Sequence, residues 1–239
     1  MLKKILVNLF NTYILPFRNS RFVNKSFAQA GEDVVMSFLF DGKGIANPSY
    51  LELGANYPDY CNNTYLFYLK GSRGVCVEAD ETLIPKIVKK RKGDKVLNIG
   101  VGTGQQSAAD FFIFSEKGLN TFSADEARYR EKHSKYKIAK IVKMDLKSIN
   151  EIIESNFSKY PDLLSIDIEG LDLEVLKTLD YNRFPIPVIC VETCTFSDNH
   201  IKPKDKSIEE FMSSVGYFPY ADTYINTIFV NTHWFNSNN

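Results

Sequence analysis

Apolar residues fall into two spacings along this chain. Short runs rich in β-branched and other apolar residues occupy "YLELGA" (50–55), "GVCVEAD" (74–80), "KVLNIGVG" (95–102), "DFFIF" (110–114), "LLSIDIEG" (163–170), "PVICVET" (187–193), "YFPYADT" (217–223) and "NTIFVN" (226–231). Several are apolar almost throughout, as expected of parallel strands covered on both faces. Between them apolar positions recur at helical spacing. Leu146, Ile149, Ile152, Ile153 and Phe157 form one such face; Ile208, Phe211, Met212 and Val215 form another, with Gly216 placed to end the helix. Val34, Val35, Phe38 and Leu39 predict a helix ahead of the first strand. Ser123 with Glu126, and Ser207 with Glu210, have capping-box spacing. Strands alternating with helices predict a doubly wound α/β sheet. The last two strand runs are separated only by a short turn near Tyr224, so they predict an antiparallel hairpin and one reversed strand.

At the N-terminus Leu2, Ile5, Leu6, Leu9 and Phe10 recur at helical spacing beside Lys3 and Lys4. This predicts an amphipathic extension over residues 1–25, packed on its own domain or lying on a membrane surface. Asn8, Asn11 and Thr12 interrupt the apolar run, which is well short of the ~20 residues that span a bilayer, and no small-residue cleavage site follows. Residues 26–239 then form one domain, in which "SEKGLNTFSADEARYREKHSKYK" (115–137) breaks the rhythm as a candidate lid.

Charge narrows the partners. Lys+Arg and Asp+Glu both number 29 in 239 residues, so no global field draws a polyanion, and nucleic acid is not an expected partner. "KKRKGDK" (89–95) reads as a solvated helix end. Of the cysteines 61, 76, 190 and 194, Cys76 and Cys190 sit inside apolar runs, and no second pair completes a zinc site. Reduced thiols in a cytoplasmic protein are expected.

The chemistry gathers at strand ends, where open parallel sheets bind ligands. In "YLELGANYPDY", Gly54 removes a side chain where a ligand can approach the backbone, Asn56 tolerates an unusual turn, and Glu52 precedes both. The next strand ends in Glu78; an acid about 20 residues after such a turn commonly accepts hydrogen bonds from ribose hydroxyls. The dinucleotide pattern G-x-G-x-x-G is absent, which disfavours a pyrophosphate. S-adenosylmethionine, with a ribose, an ammonium and a sulfonium, suits an acidic cradle better than NAD does.

Taken together, "FAQAGEDVVMSFLF", "YLELGANYP", "NNTYLFYLKGSRGVCVEAD", "VLNIGVG", "LLSIDIEGLDLEVLKTLD" and "PVICVET" resemble the FkbM family of S-adenosylmethionine-dependent methyltransferases over about residues 27–193. The resemblance implies a Rossmann-like fold with a mostly parallel seven-stranded sheet, helices on both faces and an antiparallel last strand. It also implies O-methylation, usually of sugar or natural-product hydroxyls.

On that reading the cofactor lies over Glu52, Gly54, Ala55 and Asn56, with Glu78 on the ribose, Ala79 and Asp80 continuing the wall, and Gly100 and Val101 flanking adenine. Gln29 or Glu32, in the block before the first strand, is expected to touch it; first-turn acids also simply favour the helix dipole. In "SIDIEG", Asp167 and Glu169 project to one side of an extended strand, because side chains alternate. Carboxylates there need a partner: the cofactor's cation, an acceptor hydroxyl or a metal. Glu192, ending the neighbouring strand, joins them as an all-oxygen set for a divalent ion. Asp167, Glu169 and His200 are the candidate catalytic groups, His200 as a base near neutral pH. The acceptor is expected to be a carbohydrate, a glycan precursor or a similar small molecule. A dinucleotide- or nucleotide-sugar-dependent oxidoreductase, and a methyltransferase-like binding protein without turnover, are the alternatives.

Overall fold

The computed structural model describes residues 25–104, 106–116, 119–194, 204 and 206–237. The amphipathic N-terminal stretch and His200 lie outside them.

Seven strands form the main sheet: β1 (Tyr50–Leu53), β2 (Gly74–Val77), β3 (Lys95–Leu97), β7 (Leu163–Ile166), β8 (Val188–Glu192), β9 (Tyr217–Asp222) and β10 (Asn226–Asn231). They lie in the order β3-β2-β1-β7-β8-β10-β9, and only β10 runs against the others. The β9–β10 hairpin turns through Tyr224 at φ 75°. Its second strand inserts beside β8 and leaves β9 at the edge. Strand order reverses between β1 and β7, so the sheet opens there at its carboxyl edge.

Both faces are covered. Leu51 and Leu53 of β1 point into a core with Leu164, Ile166, Ile152, Ile153, Val175 and Leu176 from β7, α5 (Ile149–Asn156) and α6 (Asp172–Thr178). Tyr50, one residue out of phase, faces Met36 and Phe40 of α1 (Glu32–Gly42) and Phe67 of α2 (Tyr65–Lys70). On α1 the buried stripe is Met36, Leu39 and Phe40, while Phe38 is 73% exposed. α3 (Ile84–Lys90) follows β2, and α7 (Lys206–Ser214) precedes β9. Ser207 therefore lies inside α7. α8 (Thr232–Asn236) follows β10.

The third predicted strand is two: after β3 the chain leaves the main sheet and enters β4 (Gly100–Gly102). β4 pairs with β6 (Ile138–Ser148), and β6 with β5 (Ala108–Phe114), in a separate sheet ordered β4-β6-β5. Leu146 belongs to β6, so the helix expected from its spacing starts at Ile149, where Ser148 and Glu151 form a reciprocal capping box. Between β5 and β6 lies α4 (Ala124–His133), capped by the Ser123 side chain accepting from the Glu126 N–H.

Candidate functional site

Where β1 and β7 part, a cleft of about 560 Å³ opens at the carboxyl edge of the sheet, within the roughly 300–1,000 Å³ common for small-molecule sites. Gly54 forms its floor. Its φ is +82°, and a Cβ there would lie 1.9 Å from the Asp167 carbonyl oxygen, so two strand ends meet across a missing side chain. The N–H groups of Gly54 and Ala55 both donate to the Val77 carbonyl at 3.0 Å, tying this turn to β2. Asn56 follows in the left-handed region at φ 44°. Its N–H donates to Glu78 Oε2 at 2.7 Å, while the Asp80 N–H donates to Glu78 Oε1 at 2.7 Å. Burial raises the Glu78 carboxyl, and these N–H bonds pull it back in part.

The second half of the cleft is acidic. β7 ends at Ile166, so Asp167 and Glu169 are not aligned by strand alternation as the sequence predicts. The turn does it instead: Glu169 and Gly170 sit at φ 57° and 104°, and Asp172 accepts from the Ile168 and Gly170 N–H groups at 3.1 and 3.2 Å. Carboxylate oxygens of Asp167, Glu169 and Glu192 lie within 4.8 Å of one another. Burial pushes the Asp167 carboxyl well above its ordinary range, and the charges of Glu169 and Asp172 push the same way. Glu192 is likewise pushed well up by burial and then by Asp167. Glu169 is raised by burial, pulled back by Arg130, and settles at about 7. Arg130 Nη2 meets Glu169 Oε2 at 2.7 Å.

Asn56 and Asp167, which both line this cleft, each carry a buried oxygen, Oδ1, without a hydrogen-bond partner among the described residues. Orphaned acceptors of this kind call for a donor, and an ammonium-bearing nucleoside brings several. Gln29, Ala79, Gly100 and Val101 also line the cleft, together with Gly54, Asn56, Glu78, Asp167, Glu169 and Glu192.

Four expected contacts are placed elsewhere. Glu52 faces the opposite side of the sheet and pairs with Arg91 at 2.7 Å. Arg91 is fully buried within "KKRKGDK", where a solvated helix end was expected, and also binds Asp94 and Thr64, each at 2.7 Å. Ala55 packs with Cys76, Leu83 and Ile87 beneath the turn. Asp80 accepts from Thr82, from its N–H at 2.9 Å and its hydroxyl at 2.7 Å. Glu32 accepts from Thr223 Oγ1 at 2.6 Å and Asn226 Nδ2 at 3.0 Å. Burial alone would raise its carboxyl; these bonds and the Ala30 N–H outweigh it and hold it low.

The cleft also uses residues that the sequence did not single out. Leu83, Ile99, Phe111 and Phe122 supply apolar walls, and Arg130 supplies a cation from the candidate lid. All four cysteines are free thiols. Among the described residues no helix is long and apolar enough to cross a membrane.

A reversed strand beside six parallel ones, a glycine floor at the switch point and an acid immediately after β2 define the Rossmann-like methyltransferase class. The model of the FkbM methyltransferase domain matches residues 52–219, and the chain belongs to that family, whose methyl donor is S-adenosylmethionine. No curated protein matches the sequence. Solved structures similar to the chain include 1,6-didemethyltoxoflavin-N1-methyltransferase from Burkholderia thailandensis with S-adenosylhomocysteine (9% identity, 95% of this chain and 88% of that one, TM-score 0.41). Another is magnesium protoporphyrin IX methyltransferase from Synechocystis, also with S-adenosylhomocysteine (9%, 95% and 97%, 0.39). At such identities and scores the likeness speaks to neither acceptor nor mechanism.

Proposed function

We propose that this chain transfers a methyl group from S-adenosylmethionine to a hydroxyl of a carbohydrate, glycan precursor or similar small molecule. The observation that carries this reading is the convergence of Asn56, Glu78 and Asp167 on one cleft, two of them with orphaned acceptors. Glu78, with both oxygens held by backbone N–H groups, presents its remaining lone pairs to ribose hydroxyls. Asn56 and Asp167 supply acceptors for the donor's ammonium. Gly100 and Val101, walled by Ile99, Phe111 and Phe122, receive the adenine. The bound donor supplies an electrophilic methyl on sulfur, so the chain's remaining task is to hold an oxygen in line and take its proton.

Glu169 is the group for that task. A carboxylate that titrates near 7 can accept a proton from a hydroxyl at neutral pH, and its pairing with Arg130 fixes the carboxylate's direction. The Asp167–Glu169–Glu192 oxygens also suit a hard divalent cation, which in that position would offset most of the trio's negative charge and bind an acceptor oxygen. With balanced overall charge and seven acidic side chains, several of them held partly neutral, against one guanidinium among the described cleft residues, a polyanionic acceptor finds little to pair with.

The test is methyl-labelled S-adenosylmethionine incubated with a panel of sugars and lipid-linked glycans, with and without Mg²⁺ and chelator. Base-stable methyl ethers, detected by mass spectrometry and lost in Glu169→Gln, are expected. Label recovered only on nitrogen, or only in nucleic acid, would contradict the hydroxyl assignment.

A further inference from the structure

In the segment that carries α4 the helix is held to the domain largely by charge, where a surface helix is ordinarily held by an apolar stripe, while Thr121 ahead of it exchanges two backbone hydrogen bonds with Phe112, at 2.9 and 3.1 Å. α4 reads ADEARYREKH, and only its Ala127 and Arg130 are buried. Arg130 spreads its guanidinium over three partners. Nε donates to Glu126 Oε1 at 2.7 Å, Nη1 to the Leu119 carbonyl at 2.9 Å, and Nη2 reaches Glu169 Oε2 at 2.7 Å. The same segment grips the rest of that turn. Thr121 Oγ1 donates to the Glu169 carbonyl at 2.8 Å, and the Glu126 side chain covers Gly170, where a Cβ would lie 3.4 Å from Glu126 Cγ.

The segment also reaches the other end of the cleft. Phe122 packs on Phe111 with ring centroids 4.6 Å apart and covers Gly100, where a Cβ would lie 2.4 Å from the Phe122 ring. Leu119, Asn120, Phe122, Glu126 and Arg130 all line the cavity. One short stretch therefore bridges the wall assigned to adenine and the turn assigned to methyl transfer. Its polar helix has little apolar area to hold it closed, so closure of the helical half depends on the ion pair.

Resting on the reading of this cleft as an S-adenosyl nucleoside site, we propose that Arg130 is a positioning residue. Its ion pair with Glu169 clasps α4 over the bound nucleoside and fixes the Glu169 carboxylate at the transfer end. Lysine cannot replace it, because an ammonium is a point charge without the planar fork that spans Glu126, the Leu119 carbonyl and Glu169 together. Lids of this kind set the rate at which ligands leave.

The experiment follows S-adenosylhomocysteine dissociation by stopped-flow competition, and amide hydrogen exchange, in the full chain. It compares wild type, Arg130→Lys, Glu169→Gln and the double variant. Each single change is expected to raise the dissociation rate at least tenfold and to speed exchange over residues 124–133, with β1 and β7 unchanged. The double variant should be no faster than the faster single, because both residues act through one contact. Rates that multiply in the double variant, unchanged rates in both singles, or faster exchange throughout β1 and β7 would overturn the clasp. Should Arg130→Lys fail to fold, Glu169→Gln alone carries the same two expectations. A wild-type chain that does not bind S-adenosylhomocysteine instead removes the functional reading beneath the proposal.

Discussion

Gly54 and Asp167 touch across the switch point of the sheet: a Cβ on residue 54 would stand 1.9 Å from the Asp167 carbonyl oxygen. The contact joins the donor half of the cleft to the acid half. It predicts that Gly54→Ala fails on two counts, a left-handed φ and a steric clash. Together these cost about 2–5 kcal/mol. Urea unfolding should show that loss, and S-adenosylhomocysteine affinity should fall with it. A stable, binding-competent Gly54→Ala chain would contradict the close approach.

Glu52 separates the structure from the sequence expectation. Paired with buried Arg91, it should leave the cofactor site untouched but matter to folding. Glu52→Gln is expected to cost about 3–5 kcal/mol, the usual penalty for stranding one partner of a buried pair. Nucleoside affinity should stay within threefold in whatever fraction remains folded, by calorimetry at a temperature below the lowered midpoint. A large affinity loss with stability intact would return Glu52 to the cleft.

Asp167 should show the opposite trade. Its carboxyl is pushed up in the folded state, so ionising it costs stability. That cost is absent below the unfolded carboxyl range of about 3.9, and grows as pH rises towards the folded value. Asp167→Asn is therefore expected to match wild type at acid pH and to exceed it at pH 8. The gain in Tm should be at least ~2 °C, corresponding to about 1 kcal/mol in a chain of this size. Methyl transfer should be lost in the same variant. Equal melting curves at pH 4 and pH 8 would remove the claim of a strained acid.

Much of this was legible because parallel strands buried on both faces write themselves as continuous apolar runs, and their ends at Gly54, Glu78 and Asp167 are where ligands bind. What stayed hidden depended on partners distant in sequence. Arg91 sits among exposed lysines, and its pairing with Glu52, 39 residues away, and Thr64, 27 away, together with nearby Asp94, takes it inside. Arg130 lies on a helix with almost no apolar face, so periodicity gave no reason to turn it inward. The β6 strand did carry a signal, in the alternation of Val142, Met144 and Leu146 with Lys143, Asp145 and Lys147. The helix-like spacing from Leu146 onward masked it. Asp167 and Glu169 were rightly placed together for a wrong reason: a left-handed turn, not strand alternation, brings them to one cleft.

The measurement closest to the central claim is calorimetric titration of the full chain with S-adenosylhomocysteine, repeated with Glu78→Ala and with NAD as ligand. One saturable site is expected in wild type, weakened at least thirtyfold in Glu78→Ala while the melting temperature of that variant shows it still folded, with no heat from NAD. Undiminished binding in a folded Glu78→Ala chain, or saturation by NAD, would contradict the account.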